Sequence, residues 1–374
     1  MDERTKQAIE LMTRFAGRTG LTSERPPRRY LWTDAFAVCN FLALDRATGD
    51  PSHAELALRL VEQVHRTLAR HRLDDERRGW ISGLPEREGE VHPTRGGLRI
   101  GKPLPERGPG EPLDDRLEWD RDGQYFHYLT KWMHALDRMA RSTGRVMFSM
   151  WARDLAEAAH RAFTYEPHPG GRKRMCWKMS IDLTRPLVPS MGHHDPLDGF
   201  VTSVQLDATA RALGSPAGPG LAEATADFAS MIAPAQLATS DPLGLGGLLV
   251  DVYRIEQLLP GCASDDLAGL RDALLAAALL GLRHYVEGLD LRLPAPRRLA
   301  FRELGLAIGL AGIAGLEQVR GFEQLARFAP VRTEIESFWR APAHREIDAW
   351  REHEDINDVM LATSLVPNGF LLVS

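Results

Sequence analysis

Two kinds of helix alternate along this chain, and that alternation limits the folds open to it more than any other feature. Six segments are apolar nearly all round, rich in small residues, and opened by an acid. They are Asp34 in WTDAFAVCNFLAL, Asp122 in DRDGQYFHYLTKW, Asp198 in DPLDGFVTSVQL, Asp241 in DPLGLGGLLVDV, Glu303 in FRELGLAIGLAGI and Asp355 in HEDINDVMLATSL. A helix with no polar face must be buried on most sides. Between these segments run helices that keep a charged face, near residues 2–17, 52–70, 148–165, 221–232, 265–289 and 316–350. In the 52–70 stretch Leu56, Leu60, Val64 and Leu68 recur every four residues with charges opposite them, the stripe of an outer-layer helix. The pattern predicts an all-α chain in two concentric layers, six inner helices and six outer ones, with residues 1–374 forming a single domain.

Two long connections interrupt the alternation, at 72–121 and 166–197. Segments of this length without helical periodicity are usually functional in a compact chain, so both are expected to lie over a cleft. The first contains GGLRIGK at 96–102, which lacks the spacing of a phosphate-binding P-loop and has no Ser or Thr after its lysine.

The formal net charge of −5 argues against a nucleic-acid partner, which calls for a basic face. The longest apolar run, Leu304 to Leu316, is broken by glycines and falls short of the ~20 residues a bilayer span needs. No membrane partner is therefore expected. The N-terminal MDERTKQAIELMTRF mixes charges into an amphipathic helix and shows no signal-peptide core, and the three widely spaced cysteines fit a reducing cytoplasm. Cys39, Cys176 and Cys262 are far apart and form no CxxC pair, and HExxH is absent, so neither a metal nor any other cofactor is expected.

The densest chemistry lies at 118–132. Asp120 and Asp122 precede a helix whose first turns carry Tyr125, His127 and Trp132. Carboxylates beside aromatic rings suit a sugar, since rings stack on the apolar faces of a pyranose while carboxylates accept from its hydroxyls. His193 and His194 precede Asp198, Trp32 precedes Asp34, Arg302 stands beside Glu303, and Asp355 opens the last apolar segment. Acids at helix starts also have a local role: they cap free N–H groups and complement the helix dipole, for about 0.3–1 kcal/mol each.

The alternation resembles the (α/α)6 toroids of six-hairpin glycosidases and of the sugar 2-epimerases related to N-acylglucosamine 2-epimerase. The resemblance implies a funnel with long loops at its mouth and catalytic groups at the starts of inner helices. It implies a carbohydrate-active enzyme taking a small-molecule or oligosaccharide substrate. As a glycoside hydrolase it would use two carboxyl groups, one donating a proton and one activating water, with Asp122 and Asp198 as the pair and Asp34 in reserve. As an epimerase or isomerase it would use histidines, His127 with His193 or His194. A non-catalytic helical scaffold that binds a ligand or protein in its cup is the third reading.

Overall fold

The structure, a computed structural model, describes every residue except 216, 262–264, 289 and 374. Cys262 and the expected helix end at 289 therefore lie outside the described residues. Helices dominate, and strands are short. No described helix is long and apolar enough to cross a membrane. The described residues fall into two compact units, one of 1–16, 39–54 and 233–374, the other of 17–38 and 55–232.

In the 17–38/55–232 unit the helix Phe126–Thr143 packs on Val146–Phe163 and on Asp195–Ala212, which in turn packs on Ala222–Met231. The Phe126 helix thus touches both the next apolar helix and the amphipathic one that follows it in sequence. Leu129, Trp132, Met133, Leu136 and Met139 of the Phe126 helix are buried, and side chains of this size contribute roughly 1.5–3 kcal/mol each when removed from water. The helix ends at Gly144, whose left-handed φ of 66° lets its N–H return to the Ala140 carbonyl.

The Phe126 helix starts later than the sequence pattern suggests. Gln124–Tyr125 is a strand, antiparallel to Lys178–Met179, which pairs in turn with Pro186–Val188. The side chain of Gln124 holds this stretch extended: its amide donates to the carbonyls of Ile181 (2.7 Å) and Gly96 (3.0 Å), and its oxygen accepts from Leu98 N (2.8 Å). The small sheet therefore ties the 166–197 connection to the mouth of the Phe126 helix, where the register sets Tyr125 opposite Lys178.

In the other unit Pro242–Leu258 packs on Asp265–Glu287 and on Ala300–Ala311, and Ala300–Ala311 packs on Ala329–Arg340 and Glu354–Leu365. Glycine makes the first of these inner contacts very close. A Cβ on Gly246 would fall 2.2 Å from the Gly305 carbonyl oxygen, and one on Gly309 would fall 2.5 Å from that of Gly246. Any side chain at these points would force the two backbones apart.

Candidate active site

The acids expected to open the apolar helices do several different jobs. Asp122 is fully buried and stands ahead of the Phe126 helix, outside its first turn. Its Oδ2 accepts from Arg99 (2.6 Å) and Arg72 (3.4 Å), and its Oδ1 from the backbone N–H groups of Gly101 (3.0 Å) and Gly123 (3.1 Å). With this many donors and no exposure it has no lone pair left for a substrate, which corrects the expectation that Asp122 is catalytic. It is the post around which GGLRIGK folds. Asp34 is also buried, accepting from Tyr30 N (3.0 Å) with Arg29 3.4 Å away. Asp120 lies exposed before the strand.

Trp132 is corrected too. It is buried on the far side of its helix and donates through Nε1 to His65 Nε2 at 3.2 Å, a core contact. In the other unit, Glu303 is buried, accepting from both Arg298 nitrogens (2.8 and 2.6 Å) and from Trp339 Nε1 (2.7 Å). Arg302 pairs with Asp241, which caps its own helix by accepting from Gly244 N (2.9 Å). Asp355 lies half-buried in the first turn of Glu354–Leu365. These residues therefore belong to a different unit from the cluster described next.

That cluster forms where the helices Phe126–Thr143 and Asp195–Ala212 begin. His127 and Lys131 stand one turn apart on the first helix, and Asp195 and Asp198 almost one turn apart on the second, so each pair shares a helix face. His127 Nδ1 lies 3.9 Å from Asp195 Oδ1, and Lys131 Nζ lies 3.0 Å from Asp198 Oδ2. Asp195 is 4% exposed, and its Oδ2 is buried with no hydrogen-bond partner among the described residues. Gly192 makes room for this oxygen, since a Cβ there would stand 2.3 Å from it.

Burial, reinforced by the charge of Asp198, pushes the Asp195 carboxyl up to about 8, against a smaller opposing pull from Lys131. Burial among aromatic rings pushes the His127 imidazole down to about 4, although 29% of its side chain reaches solvent. Between those two values the proton sits on the Asp195 carboxyl and the imidazole is neutral. The sequence pattern points to Asp198 in DPLDGFVTSVQL and not to Asp195, which opens the same segment. Two acids three positions apart at one helix mouth were the available signal.

Aromatic rings wall this cluster. Tyr125 stacks on His127 (centroids 5.4 Å, 27°) and lies 4.9 Å from Trp177, whose ring is parallel to that of His127 (6.1 Å, 8°). Tyr128 meets His127 edge-on at 4.8 Å, and its hydroxyl shares a 2.6 Å hydrogen bond with that of Tyr30. Burial pushes Tyr30 up to about 12 and Tyr128 well above the usual phenol value, so both remain neutral donors. Trp32 lies against Phe36 (4.6 Å) and Tyr128 (6.4 Å). The rings of His193, exposed, and His194, half-buried, are 4.5 Å apart just before Asp195. Trp177 carried no signal in the sequence, because only the strand register brings it here. Among the described residues no group of three His, Cys, Asp or Glu side chains is placed to hold a metal ion.

No family model matches the chain, and no curated protein matches it in sequence. Solved structures do. The GH76 α-mannanase of Bacteroides thetaiotaomicron superposes with a TM-score of 0.58 at 7% identity, covering 98% of this chain and 96% of the mannanase. An inactive variant of the α-1,6-mannanase of Salegentibacter sp., in complex with α-1,6-mannotriose, gives a TM-score of 0.53 at 11% identity, with both chains fully covered. The cellobiose 2-epimerase of Spirochaeta thermophila gives 0.50 at 10% identity, covering 88% of this chain and 84% of the epimerase. At these identities the likeness shows the fold, an all-α (α/α)6 toroid, as the alternation of helices predicts.

Proposed function

We propose that this chain is a carbohydrate-active enzyme, a glycoside hydrolase with Asp195 as general acid and Asp198 as its partner carboxylate. One observation carries the reading: two carboxyl groups at a single helix mouth sit in different environments, Asp195 buried with its carboxyl pushed up to about 8 and Asp198 paired with Lys131 3.0 Å away. Environments that split a carboxyl pair in this way assign an acid and a base at neutral pH. The fold shared with two mannanases supports the choice of substrate class by analogy.

In this reading Asp195 gives its proton to the glycosidic oxygen as the bond breaks, and Asp198 takes a proton from the water that attacks the anomeric carbon. His127, neutral and 3.9 Å from Asp195, does not compete for its proton. The partly exposed rings of Trp177 and His127 stack on the sugar, and His193 and His194 meet its hydroxyls at the mouth.

The test is a panel of glycans that includes α-1,6-mannotriose, followed by release of new reducing ends. The wild-type chain cleaves at least one of them, and Asp195→Asn lowers kcat by about 10²–10⁴, the usual weight of a general acid. A panel left intact by the wild type, or cleaved equally well by Asp195→Asn and Asp198→Asn, would overturn the reading.

A second reading is favoured by the neutral imidazole of His127 beside a protonated carboxyl: a sugar epimerase or isomerase that moves a proton at the carbon next to a carbonyl. Its signature would be solvent deuterium entering the sugar with no new reducing end.

A further inference from the structure

The 104–121 stretch holds one large apolar ring in solvent. Trp119 is 54% exposed, and its ring meets Trp177 edge-on at 5.2 Å, 74°. Trp177 in turn lies parallel to His127. A continuous line of rings therefore leads from the Asp195–Asp198 pair, through His127 and Trp177, out to Trp119.

The exposure of Trp119 does not come from a loose backbone. Lys178, adjacent to Trp177 and fully buried, donates to the carbonyl oxygens of Glu118 and Arg121 (2.8 Å each), on either side of the tryptophan. Its ammonium also lies 2.9 Å from the buried Glu118 carboxylate, which accepts from Arg107 as well (3.1 Å). One buried lysine thus fixes the backbone on both sides of an exposed ring and seats its neighbour Trp177 in the strand. An indole held in water on a fixed backbone is open to a ligand with little ordering cost on binding.

We infer that Trp119 forms a distal subsite for a second or later sugar ring, and that the substrate is a neutral oligosaccharide rather than a single sugar. Along this line Trp119 stands one ring further from the acid pair than Trp177, 5.2 Å from it and turned 74° to it. Indole faces suit the apolar faces of such units. Asp114, Asp115 and Asp120, exposed and within five residues of Trp119 in sequence, outnumber the exposed Arg116 there, and this negative balance disfavours uronic acids. This inference rests on the Asp195 site being the place where the sugar is processed.

Calorimetric titration of the Asp195→Asn chain, in which turnover is slowed, tests it. The probes are neutral manno- and gluco-oligosaccharides from monosaccharide to tetrasaccharide, with an oligouronate of equal length. Affinity rises with chain length for the neutral series and not for the oligouronate. Adding Trp119→Ala lowers tetrasaccharide affinity roughly ten-fold, the loss of one ring stack, and leaves monosaccharide affinity unchanged. Trp119→Phe retains most of the gain. A length-independent affinity, or a ladder unaffected by Trp119→Ala, overturns the subsite while the hydrolase reading stands on the short sugars. Self-association that disappears in Trp119→Ala, with sugar binding unchanged, assigns the ring to a protein contact and also overturns it. Failure of every sugar to bind overturns both.

Discussion

Asp195→Asn separates a catalytic acid from a structural carboxylate, because the two roles predict opposite effects on stability. Folding raises the Asp195 carboxyl from its ordinary 3.8 to about 8. At about 1.4 kcal/mol per pKa unit, the ionised form is disfavoured in the fold by about 6 kcal/mol, as an upper bound. Below pH 3.8 the group is protonated in both folded and unfolded chains and has no effect on stability. Between 3.8 and 8 the unfolded chain has released this proton and the folded chain keeps it, so stability falls as pH rises, by up to about 1.4 kcal/mol per pH unit.

By pH 7 the accumulated loss is about 4 kcal/mol. Asparagine has nearly the same shape and never ionises, so the variant lacks this slope. It should unfold at higher urea than wild type at pH 7, with the gap narrowing toward pH 5, while kcat falls by about 10²–10⁴. Urea titrations of both chains between pH 5 and 8, with m-values compared, measure this directly. A variant whose stability runs parallel to wild type across that range would show that Asp195 is ionised in the fold, and the reasoning would fail.

Three further outcomes follow from the same geometry. The charge of Asp198 raises Asp195 and that of Lys131 lowers it, so the alkaline limb of the pH–rate profile should move down in Asp198→Asn and up in Lys131→Met. Gly192→Ala places a Cβ 2.3 Å from the Asp195 Oδ2; it should displace the acid and reduce kcat sharply, with the circular-dichroism spectrum unchanged. Asp122→Asn leaves Arg99 and Arg72 facing a neutral group in a buried site and should cost about 3–5 kcal/mol in urea unfolding, while activity per folded molecule stays near wild type.

The layering of helices was legible because it depends on local pattern. Apolar helices such as Pro242–Leu258 and Ala300–Ala311 have no polar face, and Gly246, Gly305 and Gly309 announce close approach before any contact is known. The role of each acid was not legible, since partners far apart in sequence decide it. Arg99 and Arg72, which neutralise Asp122, lie 23 and 50 positions before it. Part of the recurrence of acids at helix mouths has local causes, as the cap made by Asp241 shows. Asp195 differs from Asp198 through burial, a tertiary property that spacing does not encode. Trp177 reaches the site through the pairing of Tyr125 with Lys178, a register formed by two residues on each strand and too short to leave a periodic trace.

The central claim is that one carboxyl at the mouth of the Asp195 helix keeps its proton at neutral pH. Carbon-13 NMR of aspartate-labelled protein, with the Asp195 resonance assigned by its loss in Asp195→Asn, titrates that group directly. The account predicts a midpoint near 8 that falls when Asp198 is replaced by asparagine. A midpoint near the ordinary 3.8, unmoved by Asp198→Asn, would contradict it.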